Sequence, residues 1–138
     1  VITRPFNYTG VGQSNRFLVP KIVSHFKEKK SKIDLGNTQV SRDFSDVRDV
    51  ARIYRLLAHR MPLNEVVNIC SGSAVSLEKI LEIAKEITSH DINLQVKPEL
   101  VRENEVLELL GEKKKLEDLV GPGDPYSLEQ TLEWMLSS

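Results

Sequence analysis

Apolar residues along the chain follow two rhythms, short β-like runs and longer stripes at helical spacing. Val1 to Phe6 reads as a short buried strand, stopped by Pro5 and then by Asn7-Tyr8-Thr9-Gly10. Gly10 to Asn15 forms a glycine-bearing loop at the carboxyl end of that strand, where open α/β sheets bind ligands. Phe17 to Lys30 is expected to be helical, with Phe17, Val19, Ile22, Val23 and Phe26 near one face and Pro20 in the first turn. Lys27 to Lys30 give it a mostly basic end that suits the helix dipole. Ile33–Leu35 and Val40–Phe44 read as two short strands in a hairpin-like arrangement around Gly36-Asn37.

Asp46 is placed to cap the next helix, with Asp49 three residues on in a capping-box-like position. Val47, Val50, Ala51, Tyr54, Leu57 and Ala58 supply its apolar stripe, leaving Arg48, Arg52 and Arg55 to solvent. Glu65 to Cys70 reads as a second buried strand, followed by the small-residue turn Ser71-Gly72-Ser73. Ser76 caps a helix whose stripe is Leu77, Ile80, Leu81, Ala84 and Ile87. Asn93 to Lys97 alternates as a strand, with Leu94 and Val96 on one face, and Pro98 ends it. Leu100 to Leu110 is mixed, and Glu112 to Val120 is a short charged helix closed by Gly121-Pro122-Gly123. Ser127 and Gln130 spell a capping box for a last helix that buries Leu128, Leu132 and Met135.

These elements predict an α/β fold. Val1–Phe6 and Glu65–Cys70 are expected as parallel strands, with the helix from Asp46 crossing between them. Residues 1–15 and 45–75 would form the C-terminal strands and helix of a Rossmann-type parallel sheet. Residues 16–44 and 76–138 would form a small mixed α/β substrate-binding domain. The chain opens directly on a strand pattern, so the preceding part of a larger protein is expected to be missing.

Composition narrows the chemistry. Nineteen basic residues against twenty acidic ones give no global argument for nucleic acid, so any anion site must be local. Cys70 is the one cysteine; it ends an apolar run, which reads as a buried inert thiol in a reducing, cytoplasmic setting. No apolar run approaches membrane-spanning length. His25, His59 and His90 have no metal-ligand spacing, and no serine sits in a nucleophile elbow. The glycine loop lacks the third glycine of a dinucleotide fingerprint and the lysine of a P-loop. What remains is a set of anion-friendly groups: Asn7, Lys21, Arg42 and Arg102. Arg42-Asp43 stands out, being two charges set in a β-forming segment. It is either an anion-gripping fork or a structural Arg–Asp pair at a sheet end. Lys21 either points toward the glycine loop or is solvated.

A resemblance sharpens this. Arg4-Pro5-Phe6-Asn7 with Gly10-Val11-Gly12-Gln13, then Phe17 to Ile22, then Leu35-Gly36-Asn37, then Arg42-Asp43-Phe44 with Asp46 to Val50, then Val67 to Gly72, occur in a specific order. Together they resemble the C-terminal half of the extended short-chain dehydrogenase/reductase family (the NAD-dependent epimerase/dehydratase group), within its GDP-mannose branch of reductases and dehydratases. The resemblance covers nearly the whole chain. It implies a nucleotide-diphosphate sugar as substrate. Asn7 would bond the diphosphate–sugar region, Leu18 and Lys21 would line the nucleotide pocket, and Gly36 and Asn37 would lie near the base. Arg42 and Arg102 would grip the diphosphate. Glu105 would accept from the ribose hydroxyls. In the family's R-P-x-[DE]-V pattern the proline is here Glu103, and Glu112 stands where an aspartate usually follows the glycine.

The family's NAD(P) loop, its catalytic Ser/Thr and its Tyr-x-x-x-Lys precede the Arg-Pro-Phe-Asn strand and are not in this sequence. Tyr8, Tyr54 and Tyr126 are not followed by lysine at the fourth position. NAD(P) is therefore expected to be held mainly by the missing N-terminal half of a parent protein, with none on this chain alone. The chain by itself is expected to be catalytically inactive, with no catalytic residue and no metal ligand of its own. Its partners would be a GDP-sugar and either the missing half or a second copy, the parent being a homodimer, with no nucleic acid and no membrane. Two other readings stand beside this one: another nucleotide-sugar epimerase or dehydratase, and a non-catalytic binding module.

Overall fold

β1 (Ile2–Pro5) and β5 (Val66–Ile69) run parallel, in register from Ile2 opposite Val66 to Pro5 opposite Ile69. The helix α2 (Val47–Arg60) lies between them in sequence, as a parallel crossover requires. The structure, a computed structural model, describes residues 1–101 and 104–138. Beyond the first ladder, β2 (Asn7–Thr9) pairs in parallel with β4 (Ser41–Asp46). The start of β4 is flanked by antiparallel β6 (Ala74–Ser76) and parallel β8 (Glu108–Leu109). A third pair joins β3 (Lys32–Leu35) to β7 (Asn93–Val96), again parallel. The fold is mixed α/β, with four parallel ladders and one antiparallel one.

Helices α1 (Leu18–Lys27), α3 (Leu77–Thr88) and α5 (Leu128–Ser137) pack around the first of two cores. Val19, Ile22 and Phe26 meet Ile33, Leu35, Ile80, Ile83, Leu132 and Met135 there. The second core is smaller. Val50, Ile53 and Leu57 of α2 close on Val67 and Ile69 of β5 and on Leu116 of α4 (Lys114–Val120). Each fully buried aliphatic side chain contributes roughly 1.5–3 kcal/mol. No helix among the described residues is long and apolar enough to cross a membrane.

Several local expectations hold. Ser76 accepts from Lys79 N, and Ser127 and Gln130 form both halves of a capping box. Asp46 caps α2 by accepting from Arg48 N. Cys70 is buried.

Others are corrected. The segment 33–44 is not a hairpin: β3 and β4 join different sheets, and Asn37 turns the chain by accepting from Gln39 N. The N-terminal strand is not buried, since Ile2 is 64% exposed; β1 has β5 on one side and no strand partner on its other edge among the described residues. Asn7 to Thr9 continue as β2 rather than ending the strand. On α2, Ile53 takes the core position, whereas Ala51, Tyr54 and Ala58 are exposed. A branched Ile offers more apolar area to bury than an alanine on the neighbouring face. Ile83 likewise joins the α3 stripe, with Leu81 and Ile87 at its margin.

Arg48 and Arg52 are not simply solvated. Arg48 forks onto Asp46 and stacks between the rings of Tyr126 and Trp134, at 3.7 and 3.9 Å. Arg52 pairs with Asp49 at 3.2 Å. Asp49 does not complete a capping box; it accepts from Tyr126 N at 2.8 Å, tying the 121–127 connection to α2. The two acids at the head of α2 thus anchor the approach to α5.

Candidate functional site

β4 is the strand on which the site is built. Successive side chains of a strand face opposite ways, so Arg42 and Asp43 part company at once. Asp43 is fully buried, and its carboxylate accepts from Ser71 N at 2.8 Å, Ser71 Oγ at 2.7 Å, Gly72 N at 3.0 Å and Gly111 N at 3.2 Å. Four donors satisfy a charge that burial alone would make costly. The Arg42–Asp43 pair considered above does not exist. Arg42 instead bonds Ser41 O at 2.9 Å and Leu107 O at 3.4 Å through Nη1, and its Nη2 lies 3.5 Å from Glu105 Oε1.

The pairing of β8 with the start of β4 brings that glutamate close. Arg42 and Glu105 are each 18% exposed at the side chain, so the pair sits at a sheltered rim. Glu105 Oε2 is buried and has no hydrogen-bond partner among the described residues. Asn7, at the start of β2, lies beside the same strand; its Nδ2 donates to Asp43 O at 3.2 Å. One guanidinium, one carboxylate with a spare oxygen and one amide therefore converge on β4. Such a set can hold a polyhydroxylated anion.

The remaining sequence candidates gather around β3. Lys21, on α1, donates from Nζ to Asp34 O at 2.6 Å; it is neither free in solvent nor turned to the glycine loop. Leu18 is half-buried at the head of the same helix. Gly36 follows β3 directly, and a Cβ there would run into the backbone carbonyl of Leu100. Gly36 is thus a close crossing of β3's end with the 3-10 turn Pro98–Leu100, next to half-buried Asn37. Arg102 lies outside the described residues.

The residue that sequence reasoning underrated is Asp43. Its signal was present, an acid flanked by Arg42 and Phe44 in a β-forming run, but its partners are 28, 29 and 68 residues away. Cys70, beside it, is no nucleophile: burial first, and then the charge of Asp43, push its thiol up to about 11.

The loop 10–15 does not fit a dinucleotide. Gln13 is committed to Tyr8 O and Thr9 Oγ1, and Phe17, which precedes α1, gives it no side-chain cap. A separate cleft between α2, α4 and the 121–126 loop is lined by Asp49, Arg52 and Lys113, whose charges are already paired with one another or with Glu117. Among the described residues no cluster of His, Cys, Asp and Glu could hold a metal ion.

Comparison with known proteins agrees with this architecture. The family model described as GDP-mannose 4,6 dehydratase matches residues 1–135. The chain is 37% identical, over 87% of its length, to a GDP-6-deoxy-D-talose 4-dehydrogenase of Aggregatibacter actinomycetemcomitans. It is 29% identical, over 99% of its length, to a GDP-6-deoxy-D-mannose reductase of Pseudomonas aeruginosa. It spans only 41% and 47% of those two relatives. Among solved structures, RMD from Pseudomonas aeruginosa, complexed with NADPH, superposes with a TM-score of 0.90 at 27% identity, covering 98% of this chain and 46% of that one. With its parallel βαβ unit, the sheltered Arg42–Glu105 rim and a family match over nearly its whole length, the chain belongs to the GDP-mannose 4,6 dehydratase family, within the extended short-chain dehydrogenases/reductases.

Proposed function

We propose that the chain is the nucleotide-sugar-binding portion of a GDP-sugar oxidoreductase, one that reduces GDP-4-keto-6-deoxy-D-mannose or a near relative with NAD(P)H. The observation that carries this reading is the buried oxygen of Glu105, without a partner among the described residues, beside the Arg42 fork. A carboxylate with a spare acceptor suits vicinal ribose hydroxyls, and a guanidinium beside it suits the diphosphate. Asn7 would meet the diphosphate–sugar junction, Leu18 and Lys21 the nucleoside, and Gly36 and Asn37 the base, with Arg102 as a second cation on the diphosphate. The names of the relatives support a guanine nucleotide.

Residues 1–15 and 45–75 serve in this reading as the end of the cofactor-binding sheet, and the remainder as the substrate domain. Hydride transfer needs a nicotinamide and a proton donor held together. Those lie in the rest of a longer protein, so residues 1–138 bind but do not turn over. The open edge of β1 is where that remainder, or a second copy, would add strands. The working compartment is the cytoplasm, where a lone buried thiol stays reduced. A second reading, GDP-mannose 4,6-dehydration, is favoured by the description of the matching family. The two separate on product: a reduced 6-deoxy sugar nucleotide against a 4-keto one.

The test is titration calorimetry with GDP and UDP. GDP should bind more tightly than UDP. Arg42→Ala should weaken GDP by about 2 kcal/mol, roughly thirtyfold, the scale of a charge-assisted hydrogen bond. Unchanged GDP affinity in that variant would remove Arg42 from the site, and equal affinity for UDP would remove the guanine assignment.

A further inference from the structure

Asp43 makes none of the contacts just assigned to substrate, yet it is bonded to Asn7 and to the end of the stretch that carries Glu105. Its carboxylate holds the loop after β5 through Ser71 and Gly72. It also holds Gly111, which ends the stretch bearing Glu105 and Leu107. Its backbone carbonyl holds Asn7. Arg42 is its immediate neighbour on β4, facing the other way.

The Arg42–Glu105 pair needs such an anchor. β8 pairs with β4 at only two positions, Ser41 opposite Glu108 and Arg42 opposite Leu109. A two-residue ladder is marginal on its own. The one carbonyl of Leu107, which precedes it, accepts both from Ser41 N at 2.7 Å and from Arg42 Nη1. The bond from Gly111 N to Asp43 fixes the other end of this ladder. We propose that Asp43 is the positioning residue of the diphosphate grip: by pinning residues 71–72 and 111 behind β4, it holds the Glu105–Leu107 stretch where Arg42 forks between it and the ligand. The inference rests on the reading of Arg42 as the phosphate-binding group, and it adds that the fork is set from the buried face of its own strand.

The experiment uses the full 138-residue chain. GDP and guanosine are titrated into wild type, Asp43→Asn, Ser71→Ala, Arg42→Ala and the doubles of Arg42→Ala with each of the other two. Asp43→Asn turns acceptor into donor against N–H groups; it should cost about tenfold in GDP affinity and only about threefold in guanosine affinity, since the released stretch carries the ribose-binding Glu105 while GDP loses the diphosphate contact as well. Ser71→Ala removes one of four donors and should cost GDP about threefold. On the Arg42→Ala background both GDP losses should shrink to those seen with guanosine. Equal weakening of GDP and guanosine, or additive losses in the doubles, would overturn the positioning role. Should Asp43→Asn not fold, Ser71→Ala alone decides on the same criteria.

Amide exchange separates this inference from the function it rests on. The Ser41 amide, bonded to Leu107 O, should exchange faster in Ser71→Ala while amides of α3 keep their rates. If wild type binds neither nucleotide, the GDP-sugar reading falls by itself. An unchanged Ser41 rate then removes Asp43's hold on the stretch as well.

Discussion

Asp46→Ala is expected to lower the unfolding free energy by about 3–4 kcal/mol, adding the loss of a helix N-cap to the exposure of an unpaired partner. Asp46 Oδ1 accepts from Arg48 N at 2.7 Å and Arg48 Nε at 2.9 Å, and Oδ2 accepts from Arg48 Nη2 and from Thr131 Oγ1 at 2.8 Å. Removing the carboxylate leaves the single proton of the buried Thr131 hydroxyl, now shared between Asp46 and Ser127 O, to Ser127 O alone, and frees Arg48 from its place against two rings. Urea unfolding of the variant beside wild type measures the loss. A drop under about 1 kcal/mol would mean that Arg48 finds water at little cost, as exposed ion pairs do.

The same carboxylate gives the fold an acid limb. Burial favours the neutral form of Asp46, but the Arg48 guanidinium, the Arg48 N–H and the Thr131 hydroxyl outweigh it, and the group titrates below the usual carboxylate range. The folded pKa lies below the unfolded value of about 3.9. Its contribution is therefore whole above that value and is lost as pH falls through the folded one. Stability of Asp46→Ala should fall less steeply than wild type between about pH 4 and pH 2. Parallel curves would assign the acid sensitivity elsewhere.

Gly111→Ala should cost about 3 kcal/mol, at the upper end of overpacking penalties. A Cβ at 111 would overlap Cys70 Cβ, stand 2.6 Å from its Sγ and come within 3.3 Å of Asp43 Oδ2. Cys70 is 5% exposed at the end of β5 and has nowhere to go, so the loop must retreat and stretch the Gly111–Asp43 bond. Gly123→Ala is the counterpart. Its Cβ would meet only the tip of Arg52, 2.6 Å from Nη2, and a flexible side chain swings aside. That variant should stay within about 0.5 kcal/mol of wild type. Thermal unfolding of both decides; similar losses would mean that proximity alone, not the rigidity of the neighbour, sets the cost.

What the sequence carries and what it hides divide along range. Ser127 and Gln130 are three residues apart, and their box could be read directly; so could the Ser76 and Asp46 caps. The βαβ unit was legible because its two strands and its helix follow one another. Arg48 could not be read correctly: its ring partners lie 78 and 86 positions downstream, and periodicity contains no term for them. The 33–44 hairpin failed for the same reason. A turn-like Gly36-Asn37 is a local signal, and it lost to a parallel partner of β3 that lies 61 residues on. On α2 the small residues Ala51 and Ala58 fit an apolar stripe as well as Ile53 does, and only packing separates them. The family resemblance came from ordered motifs rather than from physics, and the family match upholds it. The geometry adds what motifs do not carry, namely that Arg42 faces Glu105 while Asp43 works behind the strand.

Trp134 is the chain's single tryptophan, and its ring lies under the guanidinium of Arg48, near the crowded Gly10. Its indole is therefore a built-in lamp at one joint, where α5 meets the head of α2. Emission excited at the indole's red edge will report the parting of that joint. It will be blind to fraying of the β1–β5 ladder, which carries no tryptophan of its own. Two optical clocks, indole light for the joint and amide circular dichroism for the whole, would show whether the two cores let go together or in turn.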